Sequence, residues 1–522
     1  MTMEETLPDD QPTETPKNNQ SAVPEKPVRR RIPILSRKKL LIIAGVAVLV
    51  LAGAIVLFAL RGNKSASTTV SSASTPFNTT DNAKSLFGTM LAYNVNDGLM
   101  GSGTADELQK GWSVFKNDPI ALEKYLTSLQ QLYENRDGLV KETKFSLDRE
   151  IAGLFTWNVI EPEKGNFDWS LTDLAAQHAR NAQIKISAVI QPFTSWDQKN
   201  TQVNSFCKAL DFAWYDYKAG PPNDWSEYQK FLEITVKRYK DVVLAWEIGN
   251  EYDGQCGGYQ NNPDGYLKLL RISYETIKGI DPSARILNGG ALEFSDNSVR
   301  NFWTKFFQLG GGNYFDAFNF HYNEGRNGVT NDPSAFLEVL SFYNNLIKNQ
   351  NLAKPLWLTE FGTYSGTPQA APGGPLGSAP GGSAPTFPTQ SQELQAGWYF
   401  RYSILALANN TERIIIDFIG SDNQNIGGSA IYNTQNQSRS FLKTLQTIAA
   451  KIQGFSKVEK IADSQYKFTV DGKTIYALWS GTLPSEISGK VKVTDMKGRG
   501  EIMDATRIKL NADQPIFVDL QN

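Results

Sequence analysis

Residues 225–254 read WSEYQKFLEITVKRYKDVVLAWEIGNEYDG, and this stretch contains the unit from which the fold is predicted. In its first half, up to Lys240, apolar side chains recur every three or four residues, which is typical of an amphipathic helix. The run VVLAWEIG at 242–249 is short, apolar and rich in β-branched and aromatic residues, which favours a buried strand. The stretch therefore predicts a helix, then a strand, then a polar loop at the carboxyl end of that strand.

The same alternation of short apolar runs and helical segments recurs along the chain. Further amphipathic segments occur at 265–280 and 335–349. Eight alternations over roughly 365 residues match the number and size of the units in a (β/α)8, or TIM, barrel. An open doubly wound sheet usually has fewer strands and a glycine-rich phosphate loop after the first one, which this sequence lacks. The predicted strands lie at 86–93, 143–150, 184–191, 242–249, 284–291, 315–322, 355–362 and 413–420.

The last part of the chain has a different pattern. From about residue 455 the sequence alternates apolar and polar residues between turn signals, as in YKFTV-DG-KTIYALWS at 466–480. Such alternation is typical of half-buried antiparallel strands. We therefore predict a (β/α)8 barrel domain at 85–454 and a small β-sandwich-like accessory domain at 455–522. For the accessory domain, packing against the barrel is favoured over carbohydrate binding.

The N-terminal region predicts a membrane anchor. Residues 1–39 form a polar tail, expected to be disordered, whose last eleven residues include six basic ones. The uncharged run at 40–60 is long enough to span a bilayer as a helix of about 31 Å, and a Ser/Thr-rich linker follows at 61–84. The excess of basic residues before the helix predicts a cytoplasmic N-terminus and an extracytoplasmic barrel domain. A cleaved signal peptide is the alternative, but its apolar region usually has only about 7–15 residues.

Composition argues against several classes of function. The net charge of −2 argues against a nucleic-acid-binding protein, which is typically basic. The two histidines, His178 and His321, form no H-x-H or H-E-x-x-H pair, so neither a metal site nor a cofactor is expected. Cys207 and Cys256 lie in the loops predicted after strands three and four. Because these loops are neighbours on the predicted oxidising side of the membrane, we hypothesise a disulfide between them.

Polar side chains cluster at the predicted carboxyl ends of three strands, where TIM-barrel enzymes carry their working residues. Asn250 and Glu251 follow strand four, Glu360 ends strand seven, and His321 and Tyr322 end strand six. Cleavage of a glycosidic bond needs two carboxyl groups, one to protonate the leaving oxygen and one to attack the sugar or activate water. A single Glu at a strand end is more often an ordinary rim charge. The pair therefore predicts a glycosidase site.

A further motif accompanies this pair. The segment TWNVIEPEKGNFDW at 156–169 resembles the W-x-x-I-E-P-x-x-G-x-F-D-W stretch of β-xylosidase-like and β-galactosidase-like enzymes. Residues 86–450 thus resemble the clan of retaining (β/α)8 glycoside hydrolases that includes cellulases, β-xylosidases and β-galactosidases. The resemblance implies that Glu251 is the acid/base and Glu360 the nucleophile. It also implies that Asn250 binds the sugar 2-hydroxyl and that Tyr322 orients Glu360.

The resemblance extends to other positions and fails at one. Arg149, near the end of strand two, resembles the arginine that keeps the nucleophile ionised. Trp157 and Trp196 are expected to bind substrate, although Trp157 is equally compatible with a core position. The clan often has a tryptophan under the sugar at the end of strand eight. Here that strand continues as IIIDFIGSDN at 414–423, which contains no tryptophan.

These observations predict a membrane-tethered β-glycosidase that cleaves a β-linked oligo- or polysaccharide by double displacement with retention. One rival is a non-catalytic cell-surface protein that binds carbohydrate on the same barrel. Another is a barrel enzyme that holds a phosphorylated ligand with GSDNQNIGGSA at 420–430. The separation of the two carboxyl groups is the first observation that tests the glycosidase prediction. It is about 5–5.5 Å in retaining glycosidases and about 6.5–9.5 Å in inverting ones.

Overall fold

A computed structural model describes most of the chain from Ser85 onward. The predicted tail, membrane helix and linker lie outside the described residues, as do Cys207 and Cys256, so these predictions remain as stated. Within the described ranges, no helix is both long and apolar enough to cross a bilayer. The described residues are 85–90, 92–93, 119–150, 153–194, 196–198, 220–254, 258–292, 297–322, 332–366, 389–417, 429–433 and 435–520.

Eight parallel strands form the wall of a barrel. They are β1 (Phe87–Met90), β2 (Leu147–Glu150), β3 (Lys185–Ile190), β4 (Val243–Ile248), β5 (Arg285–Asn288), β6 (Phe318–Tyr322), β7 (Leu356–Phe361) and β8 (Thr411–Asp417). Their order in the sheet is β5-β4-β3-β2-β1-β8-β7-β6. The parallel bridges Leu287–Ala317 and Ala291–Phe320 join β5 to β6 and close the ring. The (β/α)8 prediction is confirmed, with β8 starting two residues before the predicted run.

Helices cover the outside of the barrel. They are α1 (Pro119–Thr143), α2 (Trp157–Ile160), α3 (Ser170–Ala182), α4 (Trp225–Tyr239), α5 (Pro263–Ile280), α6 (Asn297–Gln308), α7 (Ser334–Asn349), α8 (Gln392–Ala408) and α9 (Ser440–Ile452). Polar side chains cap the N-termini of two of these helices. Asp224 accepts from two backbone N–H groups of α4, and Asn262 accepts from one backbone N–H group of α5. The first N–H groups of a helix lack partners within it, so such oxygens stabilise the first turn.

The barrel interior is a packed core rather than a pore. Most of its buried apolar layer comes from the strands, and one residue lies just before β6. A filled interior of this kind is expected for a TIM barrel, whose side chains pack in layers. This layer lies below the carboxyl ends of the strands and gives the polar residues there a rigid floor. Its members are Leu147, Ala245, Leu287, Ala317, Trp357 and Ile415.

The C-terminal residues form one antiparallel sheet of six strands. They are β9 (Lys457–Ala462), β10 (Gln465–Val470), β11 (Lys473–Leu478), β12 (Lys490–Asp495), β13 (Gly500–Asp504) and β14 (Ile516–Leu520). Their order in the sheet is β13-β12-β14-β11-β10-β9. Phe400 of α8 packs against Phe517 and Trp479, with ring centroids 4.8 and 6.5 Å apart. The predicted β-sandwich is therefore wrong, because a barrel helix covers the face that a second sheet would cover.

Candidate active site

Glu251 and Glu360, which are 109 positions apart in the sequence, meet at the carboxyl end of the barrel. Glu251 lies three residues beyond the end of β4, and Glu360 is the next-to-last residue of β7. Each has a carboxylate oxygen within 4.8 Å of an oxygen of the other. Their side chains keep 33% and 18% of their surface exposed. The two carboxylates are thus accessible and close enough to act on one bond.

His321 lies between the two carboxylates. Its Nδ1 is 2.9 Å from Glu251 Oε1 and 3.7 Å from Glu360 Oε2. Its Nε2 lies 3.5 Å from Nη2 of Arg149, which can only donate, so in the neutral ring Nδ1 carries the proton and donates it to Glu251. Burial alone lowers the pKa of His321, but the charges of Glu360 and Glu251 outweigh burial and raise the pKa.

Arg149, at the carboxyl end of β2, is fully buried and binds several site residues at once. Its Nη1 donates to Glu360 Oε1 at 3.0 Å, and its Nη2 donates to Asn250 Oδ1 at 2.7 Å. Two further bonds of 2.8 and 2.6 Å reach the carboxylate of Glu247. Burial alone lowers the pKa of Arg149, but the charges of Glu247 and Glu360 outweigh burial and raise the pKa. Arg149 therefore stays cationic and stabilises Glu360 as an anion.

Glu247 is a site residue that the sequence analysis missed. It is fully buried in β4, where both of its oxygens accept from Arg149 and one also accepts from the Gly290 N–H group at 3.2 Å. A buried charge needs a partner, and Glu247 supplies one for Arg149. The available signal was an acidic residue within the apolar run VVLAWEIG, because such a position predicts a buried ion pair.

Gly290, just after β5, allows His321 to approach the backbone. A Cβ atom on Gly290 would lie only 1.9 Å from His321 Nε2. The carbonyl of Gly290 also accepts from the Glu251 N–H group at 3.1 Å, which connects the loop after β5 to the turn after β4. Glycine is therefore required here for close approach.

The two tryptophans predicted to bind substrate have different environments. Trp157 is fully buried, its indole N–H donates to Glu161 Oε2 at 2.8 Å, and its ring stacks on Phe231. The predicted sugar contact of Trp157 is wrong, because none of its surface is accessible. Trp196 is half-buried, lies edge-on to Trp157 and donates to the Glu161 carbonyl at 2.8 Å. Its role in substrate binding remains a prediction.

Tyr322 follows His321 in β6, and its ring is buried. The ring packs against Phe336 of α7 and Tyr402 of α8, with centroids 4.6 and 6.3 Å away. Successive side chains of a strand point to opposite faces, so this packing on the helices accords with His321 pointing into the barrel. The predicted role of Tyr322 in orienting Glu360 stays a prediction. Arg149 and His321 both lie within 4 Å of the Glu360 carboxylate.

Three side chains of the site carry atoms of the kind that bind metal ions. Among the described residues, Glu251, His321 and Glu360 have oxygen and nitrogen atoms close enough together to hold an ion. However, the Arg149 guanidinium lies 3.0 Å from Glu360, and the His321 Nδ1 proton points at Glu251. A cation would be repelled by the guanidinium and would compete with both hydrogens. The arrangement is better suited to proton transfer and nucleophilic attack.

Comparisons with solved structures agree with this barrel geometry. A family 39 glycoside hydrolase from Bacteroides cellulosilyticus WH2 is similar with a TM-score of 0.52 and 15% identity, over 74% of this chain and 78% of that one. A monomeric β-xylosidase from Caulobacter crescentus CB15 has a TM-score of 0.51 and 12% identity, over 75% and 92% of the two chains.

Comparisons of sequence give a shorter match. The β-galactosidases LacZ and LacA of Lactobacillus acidophilus are each 26% identical over an alignment of 156 residues that covers 26% of this chain. The chain spans 22% of the length of these relatives. No family model matches the chain. The similarity to solved structures is one of fold: the described barrel shares its (β/α)8 architecture with both of those structures.

Proposed function

We propose that this protein is a retaining β-glycosidase. The observation that carries the proposal is the pairing of Glu251 and Glu360, whose carboxylate oxygens lie within 4.8 Å of each other at the mouth of the barrel. Inverting glycosidases keep their carboxyl groups about 6.5–9.5 Å apart to leave room for a water molecule, and retaining ones about 5–5.5 Å. The approach of one oxygen from each group to within 4.8 Å is compatible with the shorter, retaining arrangement, in which one carboxylate attacks the sugar directly.

The surroundings of the two carboxylates support a division of labour. Glu360 is bound by the cationic Arg149 and is the less exposed of the two, which suits an ionised nucleophile. Glu251 is more exposed and contacts the His321 N–H group, which suits a group that exchanges a proton with the substrate and water. Asn250 turns its amide oxygen to Arg149, so its NH2 group is the donor left for a sugar hydroxyl.

These residues perform the reaction in two steps. In the first, a Glu360 oxygen bonds to the anomeric carbon while Glu251 protonates the departing glycosidic oxygen, which leaves as an alcohol. In the second, Glu251 removes a proton from water, whose oxygen bonds to the anomeric carbon as the Glu360–sugar ester breaks. The bond from Glu360 and the bond from water form on opposite faces of the anomeric carbon, so its configuration is inverted twice. The product therefore keeps the starting β configuration.

Galactosides and xylosides are the first substrates to test. The sequence relatives are named β-galactosidases, and one structural neighbour is named a β-xylosidase. A panel of aryl β-glycosides should reveal which sugar the purified protein hydrolyses. Proton NMR of the sugar released first should show the β-anomer, followed by slow mutarotation. Initial release of the α-anomer would contradict retention, and binding of sugars without any hydrolysis would favour a carbohydrate-binding protein.

The close approach at Gly290 yields a specific prediction. Gly290→Ala is expected to lower kcat/KM by about 100-fold or more, because the new methyl group displaces His321 from Glu251 and catalytic groups tolerate little misplacement. Gly279→Ala is the matched control, because nothing lies within 4 Å of a Cβ atom there on the exposed surface of α5. Initial rates on the best aryl glycoside test both variants. Unchanged kcat/KM in Gly290→Ala would remove His321 from the proposed mechanism.

We further propose that an uncleaved helix at 40–60 tethers the barrel outside the cell membrane. The uncharged length of this run and the excess of basic residues before it support the proposal. The mass of the mature protein from the membrane fraction is the test. A chain that starts beyond residue 60 would show that the segment is a cleaved signal instead.

A further inference from the structure

Asp253 is a buried acid close to the proposed acid/base, and the mechanism above does not use it. It lies two residues after Glu251 in the turn 251–254 and is only 1% exposed. Its Oδ2 accepts from the Leu292 N–H group at 3.0 Å and from the Trp303 indole N–H at 2.7 Å. Among the residues that the structure describes, no hydrogen-bond partner reaches its Oδ1. One carboxyl oxygen thus ties the turn to the loop after β5 and to α6.

The turn that Asp253 holds has an unusual backbone. Glu251 adopts φ = +52°, in the left-handed region that side chains other than glycine rarely occupy. Its N–H donates to the Gly290 carbonyl at 3.1 Å, and its own carbonyl accepts from Gly254 at 2.9 Å. Such a conformation persists only where the surroundings enforce it. The two bonds to Asp253 supply part of that enforcement from two other elements of the barrel.

The charge state of Asp253 agrees with a holding role. Burial, opposed by the hydrogen bonds from Trp303 and Leu292, raises the pKa of Asp253 to about 7, and the charge of Glu251 adds to the rise. The other titratable groups that face it are His321 from β6, Tyr266 from α5 and Tyr343 from α7. At pH values well below 7, Asp253 is therefore mostly neutral and adds little negative charge beside Glu251.

We propose that Asp253 is a positioning residue for Glu251, holding the turn 251–254 so that the acid/base carboxyl reaches the glycosidic oxygen. This inference rests on the proposed glycosidase function. Asp253 itself is buried and does not contact the substrate. Its loss should therefore weaken protonation of the leaving group, while the Glu360–Arg149 pair that performs the attack stays in place.

The leaving group of the substrate distinguishes positioning from general damage to the fold. A phenyl β-glycoside needs protonation to depart, whereas a 2,4-dinitrophenyl β-glycoside needs very little. At pH 6, Asp253→Ala is expected to lower kcat/KM for the phenyl substrate by about 100-fold and for the dinitrophenyl substrate by less than about fivefold. Partial unfolding would lower both values by the same factor.

Two further variants test the positioning role even if Asp253→Ala does not fold. Asp253→Asn keeps a carbonyl oxygen for Leu292 and Trp303, so it should restore most of the phenyl activity. Trp303→Phe removes one of the two donors and should change the ratio of the two rates in the same direction as Asp253→Ala, but by less. Asp316→Ala is the matched control, because it removes a carboxylate that accepts from the Ile286 N–H group at the opposite end of the barrel. It should leave the ratio unchanged.

The outcomes separate this inference from the proposed function. If the wild-type protein hydrolyses neither substrate nor any other aryl β-glycoside, the proposed function fails and the inference fails with it. If the wild type is active and both Asp253→Ala and Trp303→Phe keep its ratio of phenyl to dinitrophenyl rates, the positioning role alone is overturned. A selective loss on the phenyl substrate that Asp253→Asn reverses supports the inference.

Discussion

Glu360→Gln is expected to lower the hydrolysis of every β-glycoside that the protein accepts by at least about 10⁴-fold. The amide keeps the shape of the side chain and an oxygen for Arg149, but it cannot form a glycosyl ester. Substrates with good leaving groups should be affected as strongly as poor ones, because attack on the sugar is required for both. Rates on the dinitrophenyl glycoside and mass spectrometry with a 2-deoxy-2-fluoro glycoside test this. The wild type should gain the mass of one sugar, and the variant should not.

Glu233→Gln is the matched control for this experiment. Glu233 lies on the surface of α4 with a side chain that is 51% exposed, and the side chain of its partner Lys237 is 61% exposed. Exposed pairs of this kind contribute little to stability, so near wild-type rates are expected. If Glu360→Gln also keeps wild-type rates, Glu360 is a rim charge and the protein is not the enzyme proposed here.

Glu251→Ala is expected to have an effect that depends on the leaving group. Hydrolysis of a phenyl glycoside should fall by about 10²–10⁴-fold, the usual contribution of a general acid or base. With a dinitrophenyl glycoside the first step should survive, because the leaving group departs without a proton. The second step should slow, because no base activates the water. A burst of dinitrophenol followed by slow turnover should then be visible in the absorbance trace.

Azide should rescue the two alanine variants with opposite stereochemistry. In Glu251→Ala, azide attacks the glycosyl-enzyme in place of activated water and should yield the β-glycosyl azide. In Glu360→Ala, azide occupies the space of the missing carboxylate, attacks the substrate directly and should yield the α-glycosyl azide. Carbon NMR of the two products distinguishes them. If the anomers are exchanged, the barrel site is correct but the roles of Glu251 and Glu360 are reversed.

The sequence was sufficient to predict the barrel and the two carboxylates. Short apolar runs such as 242–249 alternate with amphipathic segments such as 225–240, and this periodicity depends only on which side chains face solvent. Parallel strands in a barrel all end at the same rim, so Glu251 and Glu360 were expected to approach each other despite their distance in the sequence.

The sequence was not sufficient where the packing of one element on another decides the outcome. Trp157 lies in a motif that resembles glycosidases, but the tertiary structure buries it behind Glu161. The predicted β-sandwich failed in the same way. Alternating strands predict a sheet with one apolar face, and they do not predict whether a second sheet or a helix such as α8 covers that face.

The sequence alone predicts the eight-unit architecture, because the architecture follows from local periodicity. It also predicts the residues at the strand ends, because these follow from the direction of each strand. Only the tertiary structure decided how those residues connect. Arg149 reaches Glu360, Asn250 and the unpredicted Glu247 together, and His321 fits against Gly290, because the barrel closes with one register between neighbouring strands. Contacts across a ring of strands depend on that register, which no single stretch of sequence specifies.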